Sequence, residues 1–169
     1  ARALASLHDS RGRVAIKGFY DRVRRFPPAV LKGMKKLPHS DARFRKDVGV
    51  KALGGEAGKT TLEKLWTRPT CEVNGLVSGY TGEGAKTVLP AVAMAKVSFR
   101  LVPDQRPEVI ERLFKSHLMR QLPASSGVTV TVTPMHGGLP WRADLDGPLY
   151  DAARTALGAA FGRAPVIVG

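Results

Sequence analysis

The clearest pattern of hydrophobic and polar positions lies between residues 92 and 102, where apolar and polar side chains alternate. Alternation with a period of two predicts a strand with one buried face. The face predicted to be buried carries Ala93, Ala95, Val97, Phe99 and Leu101, and the opposite face carries Met94, Lys96, Ser98 and Arg100. Residues 73–80 and 128–133 are predicted as further strands, and residues 14–16 as a short strand-like stretch.

Helical spacing is strongest over residues 107–122, where six apolar residues form one stripe that ends before Pro123: Val109, Ile110, Leu113, Phe114, Leu118 and Leu122. A second helix is predicted from Pro148 to residue 161, closed by Gly162. Thr60 and Glu63 have the spacing of a capping box that opens a short helix ending near Trp66. Residues 1–7 are predicted to end a helix, and prolines divide residues 22–51 into short helical turns.

These elements predict an α+β fold, a two-layer sandwich with an antiparallel four-stranded sheet covered on one face by helices. A further strand before the first helix would give the order β-α-β-β-α-β, a ferredoxin-like sandwich. The chain opens within a helical pattern and closes on an apolar run at residues 165–169 that resembles the start of a buried strand. We therefore expect an excised fragment whose chemistry lies partly outside this sequence.

Composition narrows the class of protein. The 169 residues, 43% of them hydrophobic, suffice for about one domain with a real core. No transmembrane run or signal peptide is recognisable, so no membrane partner is expected. The single cysteine, Cys71, excludes an internal disulfide framework and favours a reducing, cytoplasmic compartment. A nucleophilic cysteine would need an adjacent base, and none is evident in the sequence. Cys71 is therefore expected to be a half-buried thiol at the start of a strand.

The chain is strongly basic, with 27 Lys and Arg against 14 Asp and Glu, a net charge of +13. Such a charge attracts polyanions and raises nucleic acid as a partner. Residues 22–51 hold much of the excess: Arg22, Arg24, Arg25, Lys32, Lys35, Lys36, Arg43, Arg45, Lys46 and Lys51. These basic side chains could bind phosphates or could form a solvated charged surface, and the segment carries no known nucleic-acid-binding signature.

Local motifs for catalysis are absent from the sequence. The histidines His8, His39, His117 and His136 have no metal-ligand spacing and are expected at the surface or at helix ends. The glycine-rich run at residues 79–87 lacks the spacing of a phosphate-binding loop and precedes a strand rather than a helix. Arg100 is the exception, because a guanidinium at the end of a strand, on the open face, suits bidentate capture of a carboxylate.

Several runs in order resemble a known family: Gly18-Phe19-Tyr20-Asp21, Phe44-Arg45-Lys46-Asp47-Val48-Gly49, Trp66-Thr67-Arg68-Pro69-Thr70, Asn74-Gly75, Gly84-Ala85-Lys86-Thr87-Val88-Leu89-Pro90 and Lys96-Val97-Ser98-Phe99-Arg100-Leu101-Val102-Pro103. Together they resemble the lid, or dimerisation, domain of the carnosine-dipeptidase branch of the zinc aminoacylase-type exopeptidases. In that family the lid is a βαββαβ insertion in the catalytic domain. The resemblance implies a lid over residues 1–138, with a basic, mostly helical insertion at 22–66, and a returning catalytic segment at 139–169.

The resemblance also implies chemistry. Full-length relatives hold two divalent metal ions, zinc or manganese, through motifs that this sequence lacks, so no metal ligand and no catalytic residue is expected here, and the fragment alone is expected to be inactive. Arg100 matches the arginine that binds the terminal carboxylate of the substrate, and Thr87 matches a residue that reaches the active site from the neighbouring subunit. The implied partners are a second copy, through the lid, and a small peptide.

Two other classes of protein stay open. A nucleic-acid-binding module would use the basic segment, although nucleic acid is not the expected partner. A non-catalytic dimerisation or scaffold module would share the lid but lack the catalytic flanks.

Overall fold

A computed structural model describes residues 1–122, 124–143 and 147–166 of the chain. Pro123 and most of the apolar run at residues 165–169 lie outside the described residues. In chain order the elements are α1 (Arg2–Ala5), α2 (Pro28–Lys35), α3 (Asp41–Asp47), α4 (Thr61–Thr67), β1 (Thr70–Ser78), β2 (Ala93–Arg100), α5 (Pro107–Arg120), a 3-10 turn (Ala124–Ser126) and α6 (Pro148–Phe161).

The sheet consists of β1 and β2, paired antiparallel. Cys71 lies opposite Phe99 and Val73 opposite Val97, but beyond a bulge between Val73 and Gly75 the partner of Leu76 is Ala95. The bulge inserts one extra residue into β1, which bends the strand and increases its twist. The two strands predicted here are confirmed, with β1 beginning at Thr70 rather than at residue 73.

Two other predicted strands do not join this sheet. Val14 makes only an isolated antiparallel bridge with His8, and residues 128–133 form no strand in the described part of the chain. Val130 and Val132 nevertheless pack against the core at alternate positions. The alternation therefore identified a buried face correctly, whereas pairing also needs a neighbouring edge in register. The described residues show a mixed α/β fold with a two-stranded sheet, and the expected four-stranded ferredoxin-like sheet is not seen.

The core lies between the base of the sheet and α5. Its buried residues are Leu7, Val14, Ile16, Phe19, Cys71, Ile110, Phe114 and Leu118. Three of the six residues predicted for the α5 stripe belong to it, which confirms that stripe. The ring of Phe99 lies edge-on to Phe114, at 5.3 Å between centroids, and 6.0 Å from Phe19. Burying each such aromatic side chain contributes about 1.5–3 kcal/mol.

The inward face of β2 is shorter than predicted. Val97 and Phe99 are half-buried, but Ala93 and Ala95, also expected in the core, are exposed. The reason is that the hairpin extends past the body of the domain, so that only its base lies over α5. We call residues 75–96, the projecting part of the hairpin with its connecting loop, the arm.

Residues 22–66 contain three short helices, as predicted. The capping box of α4 is present: Thr60 N–H donates to Glu63 at 2.9 Å, and Glu63 N–H donates to the Thr60 hydroxyl at 3.3 Å. The N–H of Thr61 also donates to the Asp41 carboxylate at 3.2 Å, which ties α3 to the first turn of α4. Three of the four orphan donors of that helix end, on Thr60, Thr61 and Glu63, are thereby satisfied.

Helix α6 confirms the predicted bounds, and Gly162 ends it in the left-handed conformation at φ 63°. None of its residues is buried, and Leu149 and Phe161 are 85% and 71% exposed. Along α6 only Tyr150 and Gly158 are half-buried, so most of its apolar side chains are open to solvent.

Candidate functional site

Arg100 is the last residue of β2, opposite Thr70 of β1. Its neighbour Phe99 points into the core, so Arg100 lies on the other face of the sheet, where it is exposed. Within the described residues its guanidinium forms no ion pair. A cation held at the end of a paired strand is thus accessible to an anionic group from outside this chain, as the sequence pattern predicted.

The turn after Arg100 is fixed by a buried side chain that the sequence did not point to. Gln105 is 2% exposed; its Nε2 donates to the Phe19 carbonyl at 2.8 Å, and its Oε1 accepts from Val102 N–H at 3.1 Å. These bonds hold the chain from Arg100 onward against the core. A glutamine between a strand and a helix ordinarily indicates a solvated turn, so only the structure reveals this contact.

Thr87 lies in the exposed loop between β1 and β2, at the far end of the arm from Arg100. Strand β2 spans 8 residues, so its two ends lie about 23 Å apart at the usual rise per residue. The structure therefore shows no contact between these two predicted substrate-binding residues in one chain.

The loop that carries Thr87 has local order of its own. The Tyr80 hydroxyl donates to the Glu83 carbonyl at 3.0 Å, and the Lys86 ammonium lies 5.1 Å from the Tyr80 ring centroid. A Cβ at Gly82 would come within 2.5 Å of the Tyr80 oxygen, so a larger residue there would displace the Tyr80 ring. The loop leads into strand β2 rather than into a helix, as its sequence predicted.

The arm exposes an unusual number of large apolar side chains. The most exposed are Leu76, Val77, Tyr80, Val88, Leu89, Val92 and Met94. Leu89 and Val92 are 89% and 78% exposed. These side chains lie on both faces of the hairpin and in its connecting loop, and such a concentration of exposed apolar residues is typical of a protein–protein interface.

Cys71 is fully buried under Phe99, deeper than the half-buried position expected. Burial, together with the nearby Glu72 charge, raises the pKa of its thiol to about 12. The thiolate is the nucleophilic form, so this cysteine is a core residue, as predicted, and not a nucleophile.

His117 and Ser6 form a buried pair that the sequence did not predict, since His117 was expected at the surface or at a helix end. It lies in the last turn of α5 but is 5% exposed, with Nε2 at 2.9 Å from the Ser6 hydroxyl. The hydroxyl donates to the Ala3 carbonyl at 2.9 Å, so it accepts from Nε2–H. This proton arrangement is the reverse of a serine activated by a histidine base.

No three His, Cys, Asp or Glu side chains come close enough to hold a metal ion anywhere in residues 1–122, 124–143 and 147–166. The donor set that a metal centre needs is therefore not supplied by the part of the chain that the structure describes. Over the same residues, none of the helices is both long and apolar enough to span a bilayer.

Two of the runs that resemble the known family lie together in the structure, residues 18–21 through Tyr20 and residues 66–70 through Arg68. The Tyr20 ring contacts both Arg13 and Arg68, whose guanidinium carbons each lie 4.8 Å from its centroid. Arg68 also makes a bidentate ion pair with Glu56, at 2.6 and 3.1 Å. The cation–π contact between Tyr20 and Arg68 therefore joins the residues that flank the two ends of segment 22–66.

The chain is similar to known proteins along most of its length. The model of the M20 family "peptidase dimerisation domain" matches residues 1–126. Beta-Ala-His dipeptidase of Rattus norvegicus and Cys-Gly metallodipeptidase dug1 of Schizosaccharomyces pombe are each 28% identical over 166 residues, which is 98% of this chain. The chain covers 34% and 35% of these proteins, about a third of the length of the curated relatives it matches.

Solved structures extend the comparison. The M20 family metallo-carboxypeptidase Sso-CP2 from Sulfolobus solfataricus superposes with a TM-score of 0.82 at 32% identity, over 99% of this chain and 37% of that one. Human carnosine dipeptidase 1 gives 0.78 at 27% identity, over 99% of this chain and 36% of that one.

Proposed function

The chain belongs to the M20 peptidase dimerisation domain family, and we propose that it is the dimerisation and lid domain of a dinuclear metal-dependent dipeptidase-like hydrolase. The whole enzyme would hydrolyse peptide or amide bonds of small substrates that carry a free carboxylate. Relatives named as dipeptidases match along 98% of this chain, which supports that substrate class.

The observation that carries the proposal is the position of Arg100. It is exposed at the end of a paired strand, on the face away from the core, and the Gln105 hydrogen bonds fix the turn behind it. In this proposal Arg100 binds the terminal carboxylate of the substrate and so orients the scissile bond.

The described residues do not fit a metal centre, so no step through a metal ion is derived from them. We propose that the two divalent ions, zinc or manganese, are held by parts of the protein beyond this sequence. Residues 1–169 alone are then inactive, and metal-dependent dipeptide cleavage by them would contradict this. The single cysteine, fully buried, is consistent with a cytoplasmic enzyme.

We further propose that two copies associate through the arm, with strands meeting edge to edge across a twofold axis. Its exposed apolar side chains support this surface. The separation of Thr87 from Arg100 within one chain supports a site shared between copies, with Thr87 reaching the active site of the neighbouring subunit.

We also assign residues 1–138 to the lid and 139–169 to the returning catalytic segment, and place residues 128–133 beside β1 and β2 in a four-stranded ferredoxin-like sheet of the complete lid. The exposed apolar face of α6 supports the first assignment. The packing of Val130 and Val132 on the core supports the second.

The test is dipeptide hydrolysis by the full-length protein with zinc or manganese. Arg100→Ala is expected to lower kcat/KM about 100-fold, because a charged anchor of the substrate is removed. Lys96→Ala is the matched control: it removes a cation from the same face of the same strand, four residues away, and activity should stay within about twofold. Equal activity of wild type and Arg100→Ala would contradict the anchor role.

Mixing variants tests the shared site. If Arg100 acts in its own subunit and Thr87 in its neighbour, a one-to-one mixture of Arg100→Ala and Thr87→Ala chains should recover about a quarter of wild-type activity. Half of the dimers are then mixed, and each mixed dimer keeps one site with both residues intact. Failure of the mixture to exceed either variant alone would place both residues in one subunit's site.

A further inference from the structure

A cleft rich in arginine opens beside the turn between β2 and α5. Its larger part, about 610 Å³, is lined by Arg22, Arg24 and Arg106, and its smaller part, about 230 Å³, by Arg24, Arg25 and Arg142. We call these five residues and the space between them the arginine cleft. The larger volume is in the range of sites that bind small molecules.

The cleft is built on a rigid turn. The buried Gln105 fastens the turn to Phe19 and Val102, and Asp104, just before it, has a φ of 75°. A non-glycine residue in this left-handed region costs free energy, although aspartate tolerates it better than most residues. Such backbone conformations cluster at functional sites, and here the conformation projects Asp104 into the cleft.

Asp104 is held by Arg24 through two hydrogen bonds, from Nε to Oδ2 and from the terminal nitrogen to Oδ1 at 3.1 Å. The Arg24 hydrogen bond chiefly lowers the pKa of the Asp104 carboxyl, and the charges of Arg142 and Arg22 lower it further. Arg24 therefore binds the Asp104 carboxylate directly, and Arg142 and Arg22 act on it through their charge.

The charge of the cleft is unbalanced. Its five arginines face two lining carboxylates, those of Asp21 and Asp104. Residues 22–51 nearby hold ten exposed basic side chains and two acidic ones, so the surrounding surface also attracts anions. Asp104 already pairs with Arg24, whereas the other four guanidinium groups form no ion pair within the described residues. They are therefore available to a ligand with more than one anionic group.

We propose that the arginine cleft binds an oligophosphate, either free or as the phosphate tail of a nucleotide. The planar guanidinium fork matches phosphate oxygens bidentately, and the two adjoining spaces accept two linked phosphates with Arg24 between them. This inference is independent of the proposed function, since neither Arg100 nor Thr87 lines the cleft.

The probe is inorganic pyrophosphate, titrated into the full chain by calorimetry at about 0.15 M salt, where weak surface attraction is screened. Arg106→Ala and Arg22→Ala are each expected to weaken binding about 10-fold, because each removes a charge-assisted hydrogen bond. Arg45→Ala is the matched control, since it removes one exposed arginine of α3 that does not line the cleft; its affinity should stay within about twofold.

A variant that is expected to raise the affinity for pyrophosphate distinguishes a specific binding site from general electrostatic attraction. Asp104→Asn keeps a residue type that accepts the left-handed conformation but removes the carboxylate that competes for Arg24. It is expected to bind pyrophosphate several-fold more tightly, and thermal unfolding of each variant verifies its fold.

Three results would overturn the proposal. They are no pyrophosphate binding in the millimolar range, equal weakening by Arg45→Ala and Arg106→Ala, and binding of a duplex oligonucleotide without binding of pyrophosphate.

Discussion

Gln105 links two parts of the chain that are 86 residues apart, through the bond from its Nε2 to the Phe19 carbonyl. Replacing it with leucine removes both of its hydrogen bonds while leaving a side chain of similar size. The Phe19 carbonyl and the Val102 N–H then lie buried without a partner, because Phe19 is 1% and Val102 8% exposed.

Each unsatisfied backbone group costs about 1–3 kcal/mol, so Gln105→Leu, which leaves two, should lower the free energy of unfolding by about 2–6 kcal/mol. Domains are stable by about 5–15 kcal/mol, so a loss of this size is a large fraction of the total.

Urea denaturation of the full chain at pH 7 measures the loss. The midpoint should fall while the slope stays unchanged, since the surface exposed on unfolding is the same. Gln121→Leu is the control, because Gln121 follows α5 with no side-chain hydrogen bond among the described residues, and it should change stability by less than about 0.5 kcal/mol.

Gln105→Glu sharpens the test. When ionised, the new carboxylate still accepts a hydrogen bond from the Val102 N–H, but it has no proton to donate to the Phe19 carbonyl. Burial raises the pKa of this carboxyl group. The penalty relative to wild type should therefore be full at pH 7 and shrink as the pH falls through that raised pKa. Midpoints equal to wild type for both variants would refute the role assigned to Gln105.

Two further predictions concern stability. Thr60→Ala breaks the capping box of α4 and should lower the free energy of unfolding, measured by urea denaturation, by about 1 kcal/mol. Thr155→Ala is the control: it changes a threonine on the exposed helix α6 and should lower that free energy by less. Equal losses for the two variants would contradict the capping role. Burial chiefly, and the Arg120 charge secondarily, lower the pKa of His117 below its ordinary 6.5. Its contribution to stability is therefore constant above pH 6.5, falls as the pH drops below that value, and levels off below the native pKa. His117→Gln should flatten this decline between pH 7 and 5, and an unchanged pH profile would contradict it.

Elements with a local pattern could be predicted from the sequence. The apolar stripe of α5, the Thr60 and Glu63 capping box and the end of α6 at Gly162 depend on residues within a few turns of one another. The exposure of Arg100 follows from the same local logic, because alternation along β2 assigns its face once Phe99 is taken as core.

Contacts between distant residues could not be predicted. Arg24 and Asp104 are 80 residues apart, and Ser6 and His117 are 111 apart, so no periodicity links them. Residues 128–133 show the related limit for strands, because period-two burial does not specify a hydrogen-bonded neighbour. The role of Thr87 depends on family resemblance alone, since nothing around it in one chain indicates a ligand.

The bulge in β1 has a consequence for how such domains diverge. Below it Cys71 and Val73 face the core, and beyond it Leu76 takes over that face while Val77 joins Met94 on the other. A one-residue deletion at Asn74 would remove the bulge and leave the later pairs, Leu76 with Ala95 and Val77 with Met94, on the faces that they now occupy. A single-codon change at this position can therefore alter the bend of the arm while both of its faces keep their residues, so the direction in which the arm projects can evolve separately from the core.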